Sequence, residues 1–205
     1  MSDTKPLWIV KLGGSLSYNP LLLKWLNQLY QHGRGKVVIV CGGGKFADQV
    51  RDAANHWQLN DNSAHHMALL AMEQFAHLLK GIAPHYQLAA TEDAIQYSVQ
   101  QGEIPIWLPY KMVIKDKTIP CSWDMTSDSL ALWLAKKLGI TCVILVKSVP
   151  LIHTQYDFNL LISEGIIDKY SLYYASDLSV SILNVDQFEQ VNTIFEQEKI
   201  LHYLQ

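Results

Sequence analysis

Long runs of charge and long runs of apolar residues are both missing from this chain of 205 residues. Charged residues make up only 17% of it, and its lysines and arginines never cluster, so with a net charge of −3 nothing favours a nucleic-acid surface. No apolar stretch is long enough to span a membrane, and the opening residues MSDTKPLW lack the apolar core of a signal peptide. We therefore expect a globular cytoplasmic protein without a membrane or nucleic-acid partner.

Cysteine is scarce as well, and histidine follows no metal-binding pattern. Cys41, Cys121 and Cys142 are far apart and outside any CxxC pattern, so we expect free thiols rather than a disulfide framework. The eight histidines show no HExxH or similar spacing. The sequence thus gives no sign of a metal site built from protein nitrogen or sulfur ligands.

Short apolar runs that alternate with helical patterns fill most of the chain. These runs predict strands over residues 7–12, 37–41, 104–108, 141–146 and 180–185. Between them we predict a helix that begins near Asn19, a long helix capped by Ser63 and a buried helix that ends at Gly139. A small hairpin is predicted over residues 111–119. The alternation predicts an α/β protein of three α/β/α layers around a mainly parallel open sheet.

Two glycine turns follow the first two predicted strands. They are Gly13, Gly14 and Ser15 in the first turn and Gly42, Gly43 and Gly44 in the second. Bare backbone ahead of a helix leaves free N–H groups and the positive end of the helix dipole, which together favour an anion. A tight connection without a ligand is the alternative, although one glycine would suffice for it. We expect a Cβ at Gly43 either to forbid the dihedral angles of the turn or to block an approaching phosphate.

The second turn also matches the dinucleotide-binding pattern G-x-G-x-x-A. Gly42, Gly44 and Ala47 supply the pattern, and Asp61 follows at a suitable distance. This match does not explain the glycine turn after the first strand, and neither turn has the spacing of a P-loop. An NAD(P)-dependent oxidoreductase is therefore an alternative to a protein that binds phosphates at both turns.

Three charged residues stand where ligands bind in open α/β sheets, at the carboxyl ends of strands. Lys11 and Lys147 end separate predicted strands, and Asp128 lies in the first turn of the buried helix. A surface lysine and ordinary helix capping are the alternatives for Lys11 and Asp128. The helix N-terminus favours an ionised carboxylate, which suits anchoring lysines or a metal better than holding a proton. We predict that Asp128 lies within salt-bridge reach of Lys11 or Lys147, with both amines facing transferring phosphates.

Several segments together resemble the amino acid kinase superfamily. The first of these are VKLGGS at residues 10–15, the GGG turn, and TSDSLALWLAKKLG at residues 126–139. The segments GGGKFADQVRDA, SAHHMALLAMEQF, WLP, SWDMTSDSLALWLA, LVKSVP and GIIDKY are similar to aminomethyl-furan-methyl phosphate kinases of methanofuran biosynthesis. The resemblance covers nearly the whole chain, and it implies ATP as phosphoryl donor with Mg²⁺ as its partner.

The resemblance also implies a role for each matching residue. The catalytic residues would be Lys11 and Asp128, with Asp128 organising the lysines, and we expect Lys147, at the end of another predicted strand, to join them. Residues for the nucleotide and its phosphates would be Gly13, Gly14, Ser15, Thr126, Ser127 and Ser148. Residues for the acceptor would be Gly42, Gly43, Gly44 and Arg51. A single domain, residues 1–205, would hold an acceptor-binding part over about 1–120 and a nucleotide-binding part over about 121–205. We expect a small-molecule substrate and a homo-oligomer.

Two departures from the family pattern affect the expected activity. Where many members have LTDVDG, this chain has LVKSVP, and Pro150 and Leu151 stand where the branch has aspartate and glycine. The glycine–methionine–lysine segment near the C-terminus of many members is absent, so the second catalytic lysine has no counterpart unless Lys147 replaces it. We expect a kinase that transfers the γ-phosphoryl group of ATP to a small acceptor such as a phosphate monoester. The alternatives are a non-catalytic nucleotide-binding regulatory protein and the oxidoreductase.

Overall fold

A computed structural model describes residues 6–149 and 157–197, so the predictions for Pro150 and Leu151 lie outside it. Within these ranges the chain forms six strands, nine α-helices and a short 3-10 helix (Gly14–Tyr18) that follows the first strand. The strands are β1 (Trp8–Leu12), β2 (Val37–Cys41), β3 (Gln87–Ala89), β4 (Pro105–Trp107), β5 (Cys142–Lys147) and β6 (Ser179–Asn184). The helices are α1 (Leu21–Gly33), α2 (Gly44–Trp57), α3 (Asp61–Ile82), α4 (Glu92–Gln100), α5 (Tyr110–Val113), α6 (Ser127–Leu138), α7 (Phe158–Ser163), α8 (Ser171–Tyr174) and α9 (Gln190–Gln197). No helix in these ranges combines the length and the hydropathy that a membrane crossing requires.

All six strands pair in parallel, in the order β3-β4-β2-β1-β5-β6. Strand β1 lies between β2 and β5, and its Lys11 stands opposite Val40 on one side and Leu145 on the other. Because parallel strands end at the same edge, the turns after β1, β2 and β5 all meet there. This topology places both glycine turns and Lys147 beside one another.

Buried side chains cover both faces of the sheet. Successive residues of the central strands enter opposite apolar clusters because side chains alternate along a strand. One cluster takes Ile9, Val38, Val40 and Leu145 from the strands and packs them against α4, α6 and α8. The other takes Val10, Ile39, Ile144 and Val146 and packs them against α1 and α9. The expected three-layer α/β/α arrangement with a parallel sheet is confirmed.

Two local predictions are wrong. Residues 111–119 form no hairpin, because Pro109 starts the short helix α5 and the Asp116 carboxylate closes a turn by accepting hydrogen bonds from Thr118. The long helix α3 is capped by Asn60 rather than by Ser63, since Asn60 Oδ1 accepts the Ser63 N–H at 2.8 Å. The cysteines are free thiols, as expected.

The two glycine turns pack backbone against backbone. A Cβ built on Gly14 would lie 2.1 Å from the Gly44 nitrogen, and one on Gly42 would lie 2.4 Å from the Gly14 nitrogen. Gly44 also has φ at +54°, in the left-handed region. Gly43 differs, because its φ of −82° suits any residue and its Cβ would instead meet the Ala47 side chain. Of the two effects expected of a Cβ at Gly43, forbidden dihedral angles are therefore excluded, and the blocking of a phosphate stays a prediction.

Replacing Gly14 by Ala should destabilise the protein, because backbone rather than a flexible side chain blocks the new methyl group. We expect a loss of about 3 kcal/mol in the free energy of unfolding, measured by urea denaturation. Gly81→Ala is the matched control. Nothing lies within 4 Å of a Cβ at this helical glycine, so alanine should stabilise by up to about 1 kcal/mol. Equal stability of the two variants would contradict the tight contact.

Candidate functional site

A cavity of about 740 Å³ lies at the carboxyl edge of the sheet. Twelve of the predicted site residues line it, namely Lys11, Gly13, Gly14, Ser15, Gly43, Gly44, Arg51, Thr126, Ser127, Asp128, Lys147 and Ser148. Gly42 does not line the cavity, because it packs against the backbone of Gly14. Residues predicted from four separate segments of the chain thus share one site.

At the centre of this site, one carboxylate bridges two lysine amines. Asp128 Oδ1 lies 2.8 Å from Lys11 Nζ, and Asp128 Oδ2 lies 2.5 Å from Lys147 Nζ. The predicted salt-bridge reach of Asp128 is therefore confirmed for both lysines. The exposed fractions of the side chains are 5% for Lys11, 5% for Asp128 and 12% for Lys147, so water screens these charges little.

The beginning of helix α6 determines where this carboxylate lies. Thr126 is the N-cap, and its hydroxyl accepts the backbone N–H of Asp128 at 3.4 Å. Apart from the Lys11 amine, Asp128 Oδ1 has no polar partner in the described part of the chain. Buried residues follow Asp128 without interruption as far as Ala135, so α6 is enclosed along most of its length. This carboxylate is thus fixed by its helix and left free to hold the lysines.

The pKa values of the cluster reflect an excess of positive charge. Burial alone would raise the pKa of Asp128, but the two lysine ammonium groups outweigh it and hold that pKa below its usual range. Burial, together with the charge of Lys11, lowers the pKa of Lys147 to about 8 against the opposing effect of Asp128. One carboxylate cannot neutralise two ammonium groups, so the three-residue cluster favours an anionic ligand.

Around this centre, the turns after β1 and β5 meet through their serines. Ser15 Oγ and Ser148 Oγ are 2.7 Å apart. Both residues line the cavity beside Gly13, whose own N–H donates to the Val146 carbonyl oxygen at 3.2 Å. The contact brings together two of the predicted nucleotide-binding segments.

On the side of the GGG turn, helix α2 presents Arg51 to the cavity. Its guanidinium lies 3.1 Å from Asp48 Oδ1 and 4.7 Å from the ring centre of Trp123. Both partners also line the cavity. The sequence analysis predicted Arg51 as a site residue but not Trp123, although Trp123 lies in the segment SWDMTSDSLALWLA, which carries part of the resemblance.

Sequence reasoning also missed His65 and Asp168. His65 lines the cavity from α3, one turn after Asp61, and burial and then the neighbouring His66 lower its pKa. Asp168 lies at the cavity wall and accepts hydrogen bonds from Thr126, Ser129 and Ser171. The i, i+4 spacing of Asp61 and His65 and the segment GIIDKY were the available signals.

Comparison with known proteins gives a family match and a curated relative. A model of the amino acid kinase family matches residues 6–158. The (5-(aminomethyl)furan-3-yl)methyl phosphate kinase of Methanocaldococcus jannaschii is 30% identical over 194 residues, which are 94% of this chain and 81% of that protein.

Solved structures of low sequence identity share the fold. The uridylate kinase of Archaeoglobus fulgidus has a TM-score of 0.72 at 16% identity, with 97% of this chain and 100% of that one covered. The UMP kinase of Ureaplasma parvum has a TM-score of 0.68 at 14% identity, with 98% and 99% covered. The UMP kinase of Bacillus anthracis has a TM-score of 0.64 at 14% identity, with 97% and 94% covered. At these identities the likeness concerns the fold alone.

Proposed function

Because the chain belongs to the amino acid kinase family and is a kinase, we propose that it transfers the γ-phosphoryl group of ATP to a small phosphate monoester. The observation that supports this proposal most is the Asp128 carboxylate between Lys11 and Lys147, beside two glycine turns in one cavity. The M. jannaschii relative is a kinase of an aminomethyl-furan-methyl phosphate, and we propose this compound, or a close analogue, as the acceptor for this chain as well.

For this phosphoryl transfer the protein must position the two substrates and supply positive charge, and it does not have to supply a general base. The second pKa of a phosphate monoester is about 6, so at neutral pH its oxygen is already ionised and needs no general base. That oxygen forms a bond to the γ-phosphorus while the bond from the γ-phosphorus to the bridging oxygen of ADP breaks, giving a diphosphate ester and ADP. Lys11 and Lys147 would neutralise the charge on the transferring group. Asp128 would hold both amines in place.

Magnesium would enter with the nucleotide. Among residues 6–149 and 157–197, no group of three or more His, Cys, Asp or Glu side chains could hold a metal ion. Asp128 is occupied by two lysines and Asp168 by hydrogen bonds, so neither is a free ligand. Mg²⁺ bound to the triphosphate would supply further charge neutralisation, as it does for other phosphoryl transfers.

We propose that the two ends of the cavity divide the substrates between them. Ser15, Thr126, Ser127 and Ser148, on the β1, α6 and β5 side, would bind the nucleotide, and all of them except Ser15 fall in the proposed nucleotide-binding part over about 121–205. Arg51 and the GGG turn, in the part over about 1–120, would bind the acceptor. A guanidinium that stacks on Trp123 and lies in the cavity suits the phosphate of such an acceptor.

We also propose a cytoplasmic homo-oligomer. The proposed use of ATP as phosphoryl donor supports a cytoplasmic location. Large apolar side chains exposed on α2 and α3 support association, since Trp57 and Leu70 are 72% and 44% exposed.

The proposed function predicts a new diphosphate ester. We expect ³¹P NMR of the protein with Mg²⁺, ATP and (5-(aminomethyl)furan-3-yl)methyl phosphate to show ADP and a paired diphosphate signal, with UMP as a comparison acceptor. The Lys11→Ala variant is the control for contaminating kinases. Binding of ATP without ADP formation for any monoester would instead support the regulatory alternative. Stabilisation by NAD(H) but not by Mg²⁺ and an ATP analogue would support the oxidoreductase.

The lowered pKa of Lys147 predicts how activity depends on pH. The amine is charged below its pKa of about 8 in the free protein and loses its charge above it. The ratio kcat/KM reports groups of the free enzyme, so it should fall as the pH rises through about 8. In Lys147→Arg the guanidinium stays charged, so the fall should move to higher pH even if the maximal rate is lower.

Lys136→Arg is the matched control for this pH profile, because Lys136 binds Ser176 Oγ and does not line the cavity. It should leave the profile unchanged. A fall near pH 8 that persists in Lys147→Arg would assign the ionisation to another group.

A further inference from the structure

We propose that Asp168 is a positioning residue of the phosphoryl-transfer centre. Asp168 holds the first turn of α6, so that Asp128 stays between Lys11 and Lys147. The inference rests on the proposed function, and it assigns a role to a carboxylate that has no part in the chemistry described above. Asp168 stands just before α8, 40 positions after Asp128 in the sequence, and lies at the wall of the same cavity.

Both oxygens of the Asp168 carboxylate are saturated by donors from α6 and α8. Oδ2 accepts the Thr126 N–H at 2.9 Å, the Thr126 hydroxyl at 2.7 Å and the Ser129 N–H at 3.1 Å. Oδ1 accepts the Ser129 hydroxyl, the Ser171 N–H at 3.1 Å and the Ser171 hydroxyl at 3.2 Å. Ser129 and Ser171 are fully buried, so water cannot replace the bonds that these two serines donate.

These bonds anchor the backbone on both sides of Asp128. Thr126 lies two residues before it and Ser129 directly after it. The Thr126 hydroxyl donates to Asp168 and accepts the N–H of Asp128, so a chain of hydrogen bonds leads from Asp168 to the backbone of Asp128. All the donors that bind the Asp168 carboxylate are neutral, so this carboxylate does not replace Asp128 as the partner of the Lys11 and Lys147 amines. Asp168 therefore fixes the position of Asp128 without contacting its side chain.

Asp168 also acts on the cluster through its charge. The charged groups that face Lys147 are Lys11 from β1, Asp128 from α6 and Asp168 from the segment before α8. Burial and Lys11 lower the pKa of the Lys147 amine, whereas the two carboxylates raise it. Removing the charge of Asp168 should therefore lower that pKa further. A residue that only joined α6 to α8 would have no such effect.

The Asp168→Asn variant tests the proposal, since it keeps the size of the side chain and removes the charge. We expect kcat to fall roughly ten- to a hundredfold, the range seen when groups that orient catalytic ligands are removed, with a smaller change in the KM for ATP. The alkaline fall in kcat/KM should also move to lower pH. Unchanged kcat and an unchanged alkaline fall would overturn the proposal, even if the melting temperature dropped.

Asp116→Asn is the matched control. Asp116 likewise accepts several hydrogen bonds and reaches α6, through the Trp133 Nε1–H at 3.1 Å, but it does not line the cavity. This variant should leave kcat and the pH profile as in the wild type. If Asp168→Asn does not fold, Thr126→Val breaks the link to Asp128 and keeps the Asp168 charge. It should lower kcat without moving the alkaline fall, and an unchanged kcat in this variant would overturn the proposal.

A measurement without substrate separates this inference from the proposed function. The side-chain amine of Lys147, assigned by comparison with Lys147→Arg, can be titrated by NMR in the ligand-free protein. Its pKa should be lower in Asp168→Asn than in the wild type and unchanged in Asp116→Asn. If no acceptor is phosphorylated but this shift is seen, the proposed function fails while the positioning of the lysine cluster stands. No shift in Asp168→Asn, together with an unchanged kcat, would overturn the role of Asp168.

Discussion

A single buried carboxylate that holds two buried ammonium groups is the interaction on which the site depends. The three side chains of Asp128, Lys11 and Lys147 come from α6, β1 and β5, so they join the helical layer to two neighbouring strands. Breaking a buried ion pair by removing one partner is costly, because the remaining charge is left without compensation. Here the cluster retains an excess positive charge. The positive charge is local, because the cationic side chains that line the cavity are matched in number by carboxylates, and at the Lys11 and Lys147 amines it suits the phosphates of a ligand.

A second constraint is the contact between the glycine turns. Gly14 and Gly44 approach so closely that neither can carry a side chain without moving the other turn. This contact explains glycines that a dinucleotide fingerprint would have assigned to a cofactor, and it holds the backbone of β1 and β2 together beside Lys11. The turns are thus structural and can still present N–H groups to a ligand, because Gly14, Gly43 and Gly44 line the cavity, whereas the Gly13 N–H is taken by Val146. A structural role in tight backbone packing and a role in binding phosphates are therefore compatible for these turns.

Much of this arrangement could be predicted because its signals are local. Buried β-branched runs gave the central strands, and the rule that ligands bind at the carboxyl edge of a parallel sheet brought Lys11 and Lys147 together. The hairpin at residues 111–119 was wrong because Pro109 and the Asp116 turn outweigh a weak alternation. Strand β3 was missed because its sequence QLA, at the edge of the sheet, contains no β-branched residue and is only partly buried, whereas the equally short β4 lies in an apolar run. Trp123 and Asp168 act through contacts distant in sequence, with Arg51 and with Thr126, which no spacing could reveal.

The central claim is that Asp128 and the lysines act as one unit, and a double-mutant cycle in single-turnover kinetics tests it most directly. The variants are Lys11→Ala, Asp128→Asn and the combination of both, each measured at saturating ATP and acceptor. The account predicts that each single change slows phosphoryl transfer by about a hundredfold or more, with a smaller effect on ATP affinity, and that the double variant is hardly slower than either. Losses that multiply in the double variant, or an Asp128→Asn enzyme at near wild-type rate, would contradict it.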